Sequence, residues 1–167
     1  MNFKLGKSFY AAALAGVLIL SLGPGAAAQS GTRTSEASRL EGTWTVQVQQ
    51  VDCTTGNPLG NPFPSLLTFA RGGTATETTA NPMFFPAERG PGHGVWSRIG
   101  KRNYRAASTA FITLNGSLVK TQKITQAIQI VDSGDSFTSA ASVEFFDPAG
   151  NLLVTGCATA AGQYFKK

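Results

Sequence analysis

The sequence predicts an all-β fold, specifically an eight-stranded antiparallel up-and-down (meander) β-barrel. Three observations predict it. Beyond residue 28 no stretch keeps a helical apolar period; Thr, Ser, Val, Ile and Phe dominate, types that suit a pleated, half-buried surface. Turn signals built on Gly, Asn and Pro cut this region into eight extended pieces. The two cysteines, Cys53 and Cys157, fall just past the first piece and inside the last, which a closed ring makes neighbours. A two-sheet β-sandwich is the alternative arrangement of the same strands.

The chain opens with Lys4 and Lys7, an uncharged run at residues 11–22, a Gly23-Pro24-Gly25 break and small residues at Ala26 and Ala28. Basic head, short apolar middle and small-residue cleavage site make residues 1–28 a secretory signal peptide. The run is too short to span a bilayer, which takes about 20 apolar residues. Cleavage after Ala28 removes two lysines, leaving 12 basic and 9 acidic residues, so the net charge falls from +5 to +3. That balance is too mild to imply nucleic acid as a partner, and the mature chain has no membrane span. Residues 29–39 are polar and read as a loose leader, and residues 40–167 as one barrel domain. The expected location is secreted or periplasmic.

The first strand covers residues 43–52, with Trp44, Val46 and Val48 on one face. The following loop is rich in Pro, which a central strand excludes. Residues 65–70 form the second strand, and Arg71-Gly72-Gly73 turns it into the third, residues 74–79. Residues 81–92 hold three prolines and the adjacent Phe84 and Phe85, and read as irregular. The fourth strand spans 93–99 and the fifth 103–114. Asn115-Gly116 then marks a tight hairpin, because a type I′ turn needs positive φ twice. The sixth strand runs over 117–131, the seventh over 136–146 and the eighth over 152–165, separated by Asp-Ser-Gly-Asp and Asp-Pro-Ala-Gly-Asn turns.

Export into an oxidising compartment makes a Cys53–Cys157 disulfide the natural reading. Counting by twos from Trp44 puts Cys53 on the outward face. Cys157 shares its face with Thr155 and Thr159, so both thiols project outward across the seam between first and last strands.

Leu40 to Val46, LEGTWTV, resembles the start of the lipocalin and calycin barrels, whose Gly-x-Trp motif is matched by Gly42 and Trp44. The resemblance implies a tryptophan plugging one end of the barrel. The chain also looks like a broad group of uncharacterised secreted bacterial proteins, sharing phrases at Gly42, Leu66 or Leu67, His93 and Val143. It departs from lipocalins in lacking a basic residue on the last strand over the tryptophan; Gln163 stands in that region.

Little in the chain argues for catalysis, and no catalytic residue, metal ligand or cofactor is assigned. His93, the one histidine, has no orienting partner or nucleophile in sight, and its glycine neighbours suggest a strand start that needs backbone room. Arg98, Lys101, Arg102 and Arg105 surround one turn and read as a solvated face. The carboxylates, among them Glu77, Glu88, Glu144 and Asp147, form no pair at catalytic spacing.

Two strands do suggest a hollow. The fifth places Tyr104, Ala106, Ser108, Ala110 and Ile112 on one face, and the seventh Phe137, Ser139, Ala141, Val143 and Phe145. Small residues in mid-strand with large ones at the ends leave interior space. The expected function is therefore a secreted lipocalin-like barrel binding a small apolar or amphipathic molecule, lined by Trp44, Trp96, Tyr104, Phe137, Phe145 and His93. A cyclase or isomerase built like the allene-oxide-cyclase barrels, and a filled barrel acting as a surface interaction module, are the alternatives.

Overall fold

The computed structural model describes residues 39–131 and 133–166. The signal-peptide reading, the leader up to residue 38 and the Asp132 turn position lie outside the described residues. The strands are β1 (Gly42–Val51), β2 (Phe63–Ala70), β3 (Thr74–Thr79), β4 (Glu88–Arg89), β5 (Gly92–Arg98), β6 (Asn103–Leu114), β7 (Ser117–Ile130), β8 (Ser136–Phe146) and β9 (Leu152–Tyr164). Eight of them match the predicted strands to within two residues at each end.

Each strand of the wall pairs antiparallel with its sequence neighbours, β4 aside, and β1 pairs with both β2 and β9. The sheet therefore closes on itself as an eight-stranded barrel, and the sandwich alternative is excluded. Closure pairs the backbone of both would-be edge strands. Along the β1–β9 seam Trp44 faces Tyr164 and Val51 faces Cys157. The Cys53–Cys157 disulfide crosses that seam with its Cα atoms 5.2 Å apart.

The short β4 was not foreseen. It lies along β6 in line with β5, so the two are halves of one interrupted strand. Glu88 opposes Thr113 and His93 opposes Thr109: five residues advance on one side and four on the other. The surplus residue is a bulge at Gly90-Pro91, where proline has no N–H to give to a ladder. Gly90 N–H still reaches the Phe111 carbonyl at 2.9 Å. The Asn115-Gly116 hairpin forms as expected, with φ of 51° and 77°.

The inward side chains divide the barrel into two halves. At one end Trp44, Leu67, Phe69, Tyr104, Ala106, Ile128, Ile130 and Phe137 form a continuous core closed over by Leu40. The Trp44 indole N–H donates to the Leu40 carbonyl at 3.0 Å, so its one polar atom is satisfied. Trp44 meets Phe137 edge-on at 5.0 Å between ring centroids, and Trp96 packs between Phe69 and Tyr104. This is a plug of interlocked aromatic rings. Gly94 lets β5 and β6 approach, since a Cβ there would lie 1.9 Å from the Ala107 carbonyl oxygen.

Candidate functional site in the unplugged half of the barrel

Beyond the plug the inward residues shrink or turn polar, and a cavity of about 250 Å³ remains. Its apolar lining includes Val48 of β1, Phe63 of β2, Ile124 of β7 and Val143 and Phe145 of β8. Ser139 and Ala141, the small mid-strand residues of β8, supply the space. The equivalent band on β6 does not line the cavity. Ala110 and Ile112 are buried behind other side chains, and the Ser108 hydroxyl donates to Glu77 at 3.2 Å.

Two loops border the mouth. The segment between β1 and β2 brings in Leu59, and that between β3 and β4 brings in Asn81 and Phe84. Phe84 sits on a single turn of 3-10 helix, Pro82–Phe84, whose start is held by the Asn81 side chain accepting from Met83 N–H at 2.9 Å. That turn carries the Phe84 ring to 6.3 Å from Phe145. Asp52 ties down the other loop by accepting from Thr54 N–H at 3.0 Å, Thr55 N–H at 2.7 Å and the Thr55 hydroxyl at 3.0 Å. Those bonds, led by the Thr55 backbone N–H, hold the Asp52 carboxyl below its ordinary 3.8.

A buried ion pair forms part of the cavity wall. Arg89 of β4 and Glu77 of β3 meet on the inner face of the wall, with Arg89 Nη2 donating to Glu77 Oε1. The Arg89 side chain is 2% exposed and that of Glu77 10%. Arg89 Nε donates to Gln122 Oε1 of β7, and Nη1 to the Gly90 carbonyl at 3.2 Å. Every group that the guanidinium faces is thus an acceptor, which a buried pair requires if it is to offset the loss of water. Gly92 makes room for it: a Cβ there would lie 2.4 Å from Glu77 Oε1. Gln50, Ser65, Thr79 and Gln126 add uncharged polar groups elsewhere in the lining.

Of the residues expected to line a pocket, Phe145 does so. Trp44, Tyr104 and Phe137 are gathered instead into the plug, each at most 1% exposed, and Trp96 packs against it. The physical reason is mutual complementarity: these large rings fill the closed end together and leave no space between them. His93 is corrected outright in position. It lies on the outer surface of β5, because Trp96 three residues on points inward and alternation sends His93 the other way. Trp44 closes one end, as the Gly-x-Trp resemblance implies, but the side chain over it is Tyr164 at 5.2 Å, edge-on, rather than Gln163, which is exposed.

Glu77 and Arg89 were missed as a pair. Glu77 opposes Leu67 across β2–β3, and Leu67 shares the face of Phe69, so a signal for an inward carboxylate was present. Arg89 lay in a stretch read as irregular and gave none. In the basic cluster near the β5–β6 turn, Arg98 folds onto the turn backbone, Nε donating to the Gly100 carbonyl at 2.9 Å and Nη2 to that of Lys101 at 2.8 Å.

No protein-family model matches the chain, and no curated protein matches it.

Proposed function

We propose that this protein is an exported, lipocalin-like barrel that holds a small apolar or amphipathic molecule in the unplugged half of its interior. The observation that carries the proposal is the cavity of about 250 Å³, lined mainly by apolar side chains with amide, hydroxyl and ion-paired groups interspersed among them. That space is many times what a single water needs and is of a size to hold a small organic molecule. Apolar lining with a few convergent polar groups is the usual character of a small-molecule site. Export is supported by the signal-peptide pattern at residues 1–28 and by the disulfide, which persists in oxidising compartments. Kinship with lipocalin-like barrels is supported by Gly42-x-Trp44 and by the position of Trp44 in the plug. The cavity itself speaks against a filled barrel.

The test is a titration of the purified mature protein with fluorescent apolar probes, alongside native mass spectrometry for a co-purifying molecule. Ala141→Trp places an indole in the cavity and is expected to abolish the probe response with the far-UV circular dichroism unchanged. A native protein that leaves the probes dark, or an A141W variant that responds as the native does, overturns the reading.

A further inference from the structure

Glu77 and Arg89 carry the only charges in the cavity wall among the described residues. They are opposite charges in contact, and each has further uncharged partners: Gln122 and the Gly90 carbonyl for Arg89, Ser108 for Glu77. Among the described residues the cavity wall therefore holds no uncompensated charge. The other polar side chains of the lining, Gln50, Ser65, Thr79, Asn81, Gln126, Ser139 and Thr159, are amides and hydroxyls that both donate and accept.

Resting on the reading of this cavity as a ligand site, we infer that its ligand is an uncharged amphipathic molecule, with a hydroxyl or amide head, and that the Glu77–Arg89 pair excludes carboxylate and ammonium heads. A carboxylate entering the cavity meets Arg89 already neutralised and lies close to the Glu77 carboxylate, a like charge with little water between. An ammonium head meets the mirror problem: Glu77 is already paired, and Arg89 repels it. Either ion also gives up its hydration without an unpaired opposite charge to replace it. A hydroxyl or amide gives up far less and finds donors and acceptors among the lining amides and hydroxyls. The pair thus sets specificity by building repulsion against the wrong partners as well as contacts for the right one.

The experiment compares four ligands of one chain length, octanol, octanamide, octanoate and octylammonium, at neutral pH by displacement of a bound apolar probe. In the native protein octanol and octanamide are expected to bind at least about tenfold more tightly than either ion. Glu77→Gln leaves the Arg89 charge uncompensated and is expected to improve octanoate relative to octanol by about tenfold or more, while octylammonium gets no better. If E77Q does not fold, the native ranking decides alone. Octanoate or octylammonium binding the native protein as tightly as octanol overturns the inference and leaves the cavity reading standing. If none of the four binds or displaces the probe, both fall.

Discussion

Replacing Cys53 and Cys157 together by serine tests how the barrel is held closed. The two residues are 104 apart in sequence, so the bridge closes nearly the whole described chain into a loop. In the chain-entropy model a loop of about 100 residues restricts the unfolded chain enough to contribute about 4.7 kcal/mol at 25 °C. A domain of this size is stable by about 5–15 kcal/mol in total, so the bridge accounts for a large share. The native seam does not depend on it. Eight residue pairs join β1 to β9, from Trp44↔Tyr164 to Val51↔Cys157, and the aromatic plug lies at the end of β1 away from Cys53. The C53S/C157S variant should therefore keep the near-UV circular dichroism of its buried Trp44. Its urea midpoint, followed by tryptophan fluorescence, should fall by roughly 2 M for a slope of about 2 kcal/mol/M. A midpoint unchanged within error refutes the loop-entropy argument. Loss of the near-UV signal before any urea is added refutes the other half, since the bridge would then be holding the native seam itself.

Gly94→Ala should cost about 3 kcal/mol, because the new methyl meets the β6 backbone rather than a side chain that can move; Gly156→Ala, with nothing within 4 Å of its Cβ, should be nearly neutral, and equal urea midpoints for the two would refute the close-approach argument. Tyr104→Phe should leave thermal stability unchanged or raise it by up to about 1 kcal/mol, because the buried hydroxyl has no hydrogen-bond partner; a clear loss by calorimetry would show that it does. Asp147 is held below its ordinary 3.8 by the Asn151 side chain and backbone N–H, and Asp52 by Thr55 and Thr54. Carboxyls depressed in the folded state stabilise it above their unfolded value and lose that contribution as pH falls through the folded one. Thermal midpoints should therefore drop below about pH 4, and Asp52→Asn with Asp147→Asn should flatten that drop; an identical acid limb in the double variant counts against these loop contacts.

The strands were legible in the sequence because they rest on local chemistry, and the disulfide because two cysteines allow a single pairing. Alternation along a strand is a property of consecutive residues, and Asn115-Gly116 or Asp147 with Asn151 needs no distant partner to bend the chain. Strand parity, applied from Trp96, would have sent His93 to the outer surface. What only the tertiary structure decided is how the interior is shared. Trp44, Tyr104 and Phe137 come from strands far apart in the chain, and whether large rings line a hollow or fill it depends on whether they reach one another. Here they meet at one end, and the space opens at the other. The Glu77–Arg89 pair has the same origin. It needs a bulge at Gly90-Pro91 to aim Arg89 inward and Gly92 to make room for Glu77, and only a closed barrel brings β3, β4 and β7 around one cavity.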